Sequence, residues 1–195
     1  MQLTLIPSPF SLDQLRVGMG RAPEALLAAG LADRLRAGGH TVRVAERATE
    51  LGAGDRLTRI GRHLAGLAQA VAEAAQAGAL PVVLGGDCLA AIGVVAGLRR
   101  APAGELGITW FDAHGDFNTP ATTISGYLGG MPLACCCGRG LDELRAAAGL
   151  TQPVAEAHVA LLGVRDLDPA EAALLDSTPV QRFPPDKLAQ FTAAG

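Results

Sequence analysis

Asp112, His114 and Asp116 alternate within residues 111–120, FDAHGDFNTP, so two carboxylates and an imidazole fall within five consecutive positions. In extended or loop backbone, the spacing i, i+2, i+4 can turn all three toward one small volume. Such a donor set suits Mn²⁺, Fe²⁺ or Zn²⁺ better than Ca²⁺, which prefers a larger shell of oxygens. Asp112 can also bridge two ions, and a two-metal site activates water between its ions. A bare D-x-H-x-D run also fits a turn whose carboxylates cap backbone amides, but its position at a strand's end favours the metal reading.

The elements that must position these groups are legible in the apolar pattern. Residues 107–111 read as a buried strand that runs straight into the aspartates. Upstream, 2–6 forms a strand closed by Pro7 and Pro9. A helix opens at Ala22-Pro23 with Leu27, Leu31 and Leu35 at i+4 steps and stops at Gly38-Gly39. Residues 41–44 make a short strand. Leu57, Ile60, Leu64, Leu67 and Val71 trace the apolar stripe of a helix over 55–76.

Residues 80–85 form a strand entering the tight turn Gly85-Gly86-Asp87, followed by a helix over 89–98. Later come a helix over 141–148, a strand over 158–164, a helix over 169–175, a strand over 180–183 and a helix over 185–191. Strands alternate with helices and are continuously apolar, the pattern of a parallel sheet covered on both faces in one α/β domain. Ligands of such sheets bind beyond the carboxyl ends of the strands. The segments GGDC, DAHGD and RDLDP all follow strands and are therefore expected on one rim.

Composition excludes several classes. Nearly half of the 195 residues are apolar and 18% are charged, which argues against disorder. The net charge of −3, scattered arginines and scarce aromatics give no footprint for nucleic acid. No window is long and apolar enough for a membrane span, and the first ten residues lack the pattern of a signal peptide. Cys88, Cys135, Cys136 and Cys137 make no secreted disulfide framework, so a reducing cytoplasm is the expected location. The triplet reads as small buried hydrophobes rather than a zinc site, since no second C-x-x-C accompanies it. His63 is expected at the surface, His40 in a turn, and His158 in a structural role at a strand start. The GGD turn lacks the glycine pattern or lysine of a nucleotide loop.

The ordered set GGD, DAHGDFNTP, TTISGYLGGMP and LLGVRDLDP resembles the arginase/agmatinase (ureohydrolase) family over essentially the whole chain. The resemblance implies a three-layer α/β/α domain on a mainly parallel sheet, an arrangement shared more broadly with deacetylases. It implies hydrolysis of a guanidino compound to urea with two Mn²⁺ ions, and a homo-oligomer. Carried over by position, Asp112 matches the bridging metal ligand, His114 a ligand of one ion and Asp116 a ligand of the other. Asp116 would also contact the attacking water as a catalytic group. Asn118, Thr123 and Ser125 match the loop that grips the substrate's amino and carboxylate groups, and Asp168 an acidic residue that contacts the substrate amine.

Three departures stand beside this likeness. Cys88 occupies a position where the family has a metal-binding His; a thiolate is soft and favours Zn²⁺ or Fe, and a small buried residue binding nothing is the other reading. Gly129 stands where arginases carry a His proposed as a proton shuttle. The S-x-D-x-D-x-x-D-P segment, which brings two further carboxylates, is absent from these 195 residues, so the domain is expected to be incomplete at its C-terminal side. Asp166 is a weak substitute. These departures motivate an alternative: an inactive arginase-fold binding or regulatory protein with at most one weak metal site.

Overall fold

The computed structural model describes residues 1–46, 52–101 and 104–192. Two compact units are formed, residues 1–103 with 143–151, and residues 104–142 with 152–195.

In the first unit, β1 (Gln2–Ser8) runs parallel to β4 (Thr41–Val44) on one side and to β5 (Leu80–Gly85) on the other. A small hairpin, β2 (Phe10–Ser11) and β3 (Gln14–Leu15), follows β1. The alternation of β1 divides the core. Leu3 and Leu5 meet Val42 and the leucines of α1 (Ala22–Ala28) and α2 (Leu31–Ala37). Ile6 points to the other face, against Leu67, Val71 and Ala74 of α3 (Arg56–Gln76), with Ala90, Val94 and Leu98 of α4 (Ala90–Arg99) packed around them. Helices therefore pack on both faces of β1, which is why its residues 3–6 are buried without alternation.

Two sequence expectations change here. Pro7 does not close the first strand: β1 continues to Ser8, with Pro7 opposite Leu84. Its missing N–H is tolerated because β4 pairs only with Gln2–Leu5, so the far side of β1 has no ladder at that point. The helix expected over the leucines at 27, 31 and 35 is two helices. Gly30, at φ +82°, ends α1 and starts α2, a backbone state glycine reaches without a Cβ penalty. At the long helix, the Asp55 side chain accepts from the Thr58 N–H at 2.8 Å and caps α3. The close pass of α4 over α3 depends on Gly97, where a Cβ would stand 2.5 Å from the Ala68 carbonyl oxygen.

The second unit carries β6 (Ile108–Phe111), then the short helix α5 (Pro132–Cys136). The chain returns to the first unit with α6 (Asp142–Ala148), where Ala147 lies against Gly61 of α3. Back in the second unit are β7 (Val159–Leu162), α7 (Pro169–Asp176), β8 (Gln181–Phe183) and α8 (Pro185–Thr192). The three strands are parallel in the order β6-β7-β8, with Val159 and Leu161 of the central strand fully buried. His158 ends a single helical turn before β7 and is exposed.

The cysteine triplet sits in and just after α5 with Cys135 and Cys136 buried. Burial pushes the Cys136 thiol well up and Cys137 to about 12, so both are neutral thiols acting as small hydrophobes. Among the described residues, no helix is long and apolar enough to cross a membrane.

Candidate functional site

Beyond the carboxyl ends of β6 and β7 the parallel pairing persists for several residues. The Asp112 N–H donates to the Leu162 carbonyl, the Arg165 and Asp166 amides donate to the Ala113 carbonyl, and His114 bridges to Asp166. This extension brings DAHGD and RDLDP side by side on one rim, as their positions after strands predict.

Asp112 Oδ1 accepts from the His114 backbone N–H at 3.0 Å and lies 3.2 Å from His114 Nδ1. The other ring nitrogen, Nε2, is 3.8 Å from Asp166 Oδ2. An oxygen of Asp112 and one of Asp116 come within 4.8 Å of each other. Asp116 itself is buried, at 5% exposure, and adopts φ +47°. Left-handed backbone is uncommon for a residue with a Cβ, though Asp tolerates it better than most, and it persists where surrounding contacts over-determine it.

Those contacts are in place around Asp116. Its carbonyl accepts from the Leu133 and Ala134 amides in the first turn of α5, at 3.0 and 3.3 Å. The Asn118 N–H donates to the Gly130 carbonyl at 3.1 Å, and the Phe117 side chain between them is fully buried. The Phe117 N–H donates to Glu171 Oε1 at 2.7 Å. Burial pushes the Glu171 carboxyl upward, and amides of Phe117, Asp168 and Asn118 pull it back.

Next to this loop lies a cleft of about 240 Å³. Its acidic lining residues are Asp116, Asp166, Asp168 and Glu171, with His114 among them; Asn118, Thr123, Ser125 and Tyr127 contribute neutral side chains. Among the described residues lining it there is no Lys or Arg. Asn118 is a connector: its Nδ2 donates to Asp168 Oδ2 at 3.1 Å, and its Oδ1 accepts from the Thr122 hydroxyl at 2.9 Å. Thr123 Oγ1 accepts from the Gly126 amide and Ser125 Oγ from the Tyr127 amide, at 3.1 and 3.2 Å, so both hydroxyl protons are left to donate. At Gly129, a Cβ would meet the Tyr127 ring at 2.4 Å, so in this arrangement Tyr127 and a side chain at 129 exclude each other.

Seven of the eight residues singled out from sequence thus belong to the second unit, and His114, Asp116, Asn118, Thr123, Ser125 and Asp168 line one cleft. Cys88 belongs to the first unit, half-buried after the turn at the end of β5 and two residues before α4. Glu171 was missed. Its signal was available as D-x-x-E from Asp168 to Glu171, the spacing at which a helix's third residue reaches back to the cap amide.

A model of the arginase family matches residues 1–194. The chain is 37% identical over 179 residues to an arginase of Bacillus caldovelox, covering 87% of this chain and 60% of that protein. It is 32% identical to arginase-1 of Rattus norvegicus, covering 93% of this chain and 59% of the relative. The crystal structure of arginase from Bacillus subtilis superposes with a TM-score of 0.87 over 98% of this chain and 66% of its own, at 31% identity. An Entamoeba histolytica arginase solved in complex with L-ornithine gives a TM-score of 0.80 at 26% identity, over 97% of this chain and 67% of its own. The chain therefore spans about three fifths of the length of the curated relatives it matches.

Proposed function

The chain belongs to the arginase family, with that family's three-layer α/β/α fold, and from this premise and the acidic cleft of the second unit we propose a metal-dependent hydrolase that releases urea from a guanidino amino acid. The carrying observation is one cleft lined together by His114, Asp116, Asp168, Glu171, Thr123 and Ser125.

The donor set fits a divalent ion. Asp112, His114 and Asp116 offer carboxylate oxygens and one imidazole from a compact loop, a combination suited to Mn²⁺. A bound ion of this kind activates water and neutralises charge at the reacting centre. The remaining chemistry falls to the chain. The carboxylate of Asp116 accepts a hydrogen bond from the attacking water and so orients it. The water oxygen bonds to the guanidinium carbon, the bond from that carbon to the alkyl nitrogen breaks, and the departing nitrogen takes both protons of the water. Urea and a primary ammonium result, with atoms and charge in balance.

Four acidic side chains with no lining Lys or Arg favour a cationic ligand. Asp168 and Glu171 suit an ammonium, while the Thr123 and Ser125 hydroxyl protons suit a carboxylate. That pairing is the head group of an α-amino acid, which supports arginine over its decarboxylated amine. The test is urea release by the Mn²⁺-loaded chain from L-arginine and from agmatine. At least about tenfold higher kcat/KM on arginine is expected. Full Mn²⁺ occupancy with no urea from either compound would overturn the hydrolase reading and favour the inactive alternative.

A further inference from the structure

Glu171 is 4% exposed and stands on the first turn of α7, yet its carboxylate does not face only the cleft. Oε1 accepts the Phe117 N–H at 2.7 Å, across 54 residues of sequence. The amide of Asp168, the cap residue of α7, also favours the charged form of this carboxyl. One side chain thus joins the start of α7 to the loop that carries Asp116. The approach depends on a glycine: a Cβ on Gly115 would fall 2.7 Å from Glu171 Oε1 and 2.7 Å from Leu167 Cδ2. Gly115 and Phe117 flank the left-handed Asp116, so the Glu171 contacts bracket a non-glycine residue held in an uncommon backbone state. The other restraints act on the Asp116 carbonyl, from α5, and on the Asn118 amide, from Gly130. The hydrogen bond at Phe117 is the one beside Asp116 in which a side chain 54 residues away accepts a backbone amide of the loop.

We propose that Glu171 is a positioning residue that sets the direction of the Asp116 carboxylate, and with it metal affinity, by holding the Phe117 amide across the gap left by Gly115. The inference rests on the reading of Asp116 as a metal ligand. What Glu171 supplies is an acceptor oxygen at a fixed place, and a neutral amide side chain can supply that equally well. Outer contacts of this kind change metal affinity by about 10–100-fold in other sites.

The experiment compares Glu171→Ala, Glu171→Gln and Gly115→Ala with the parent chain. Mn²⁺ affinity is measured by equilibrium dialysis and Phe117 amide exchange by NMR, with circular dichroism as the check of folding. Glu171→Ala is expected to weaken Mn²⁺ binding at least about tenfold and to speed Phe117 exchange by a similar factor. Gly115→Ala, which keeps the glutamate but pushes it away, should reproduce both changes. Glu171→Gln should stay within about threefold of the parent on both, while raising KM for arginine through loss of the charge facing the ammonium. Unchanged exchange and affinity in Glu171→Ala would overturn the inference, as would an equal loss of affinity in Glu171→Gln. If Glu171→Ala does not fold, Gly115→Ala and Glu171→Gln decide by the same criteria. A parent chain that takes up no Mn²⁺ sinks the metal reading, and Phe117 exchange in the three variants then decides the positioning role alone.

Discussion

The Phe10 ring and the His63 imidazole stack face to face, with centroids 4.1 Å apart and planes 8° from parallel. His63 Nε2 lies 2.8 Å from Ser8 Oγ, and both side chains are buried. This links α3 to the end of β1 and to the hairpin that follows. Because a stack, a buried hydrogen bond and side-chain volume are lost together, His63→Ala should destabilise the chain by about 2–4 kcal/mol. Urea denaturation measures it. A change within about 0.5 kcal/mol, the range of ordinary surface substitutions, would refute the structural role.

The GGD turn performs a related service for the same hairpin. A Cβ on Gly86 would sit 2.2 Å from the Phe10 carbonyl oxygen and 2.8 Å from Gly20 Cα, both backbone atoms unable to step aside. The Asp87 carboxylate accepts the amides of Leu12 and Leu89, tying the hairpin to the start of α4, and burial raises its pKa. Gly86→Ala should therefore cost about 2 kcal/mol or more, as overpacking against a fixed backbone does. Gly78→Ala is the control. Gly78 has φ +74° but open space around it, so only the backbone penalty of about 1 kcal/mol applies. Equal losses in the two variants would show that crowding at Gly86 is not the cause.

How far the sequence could be read follows from where its signals are local. The stripe of Ile60, Leu64, Leu67 and Val71 announces α3 because every turn repeats it, and all four are buried. His63 lies three residues after Ile60 on that same stripe; its polarity and its neighbour Arg62 suggest the surface, while the partner that buries it, Phe10, is distant in sequence. The leucine steps at 27, 31 and 35 run across a helix break, because periodicity alone does not register the φ of Gly30. At the candidate site, residues after strand ends were legible from strand position and family motif. Glu171 was not, since its role depends on Gly115 being small and on α7 folding back toward residue 117.

Asp55 sets a pH dependence with a definite sign. Its carboxyl is held below the ordinary value of 3.8, first by the Thr58 backbone hydrogen bond, then by the Thr58 hydroxyl. A carboxylate whose folded pKa is lowered adds stability above its unfolded value and loses it as pH falls through the folded one. The cap's contribution should therefore be complete above pH 3.8 and fade below it. Asp55→Asn retains an acceptor for the Thr58 amide but cannot titrate, so its stability profile should be flatter than the parent's in that acid range. Parallel profiles from thermal melts at pH 3 to 6, on the order of the carboxylate range, would contradict this account.

Asp116 offers the sharpest separation of fold from function. Its φ of +47° suits Asn almost as well as Asp, whereas a β-branched or large apolar residue would be strained there. Asp116→Asn should thus keep the loop and its contacts to Leu133, Ala134 and Glu171, whose partners are backbone groups at 116 and 117. An amide is nevertheless a poor substitute for an anionic ligand and cannot draw a proton from water. Mn²⁺ affinity should fall by at least about tenfold and urea release by at least about a hundredfold, with circular dichroism unchanged. Asp116→Val should lose the same activity and also unfold earlier, because backbone strain is added to the missing ligand. If Asp116→Asn retained both Mn²⁺ affinity and turnover, Asp116 would be a loop residue, and the metal would have to be held without it.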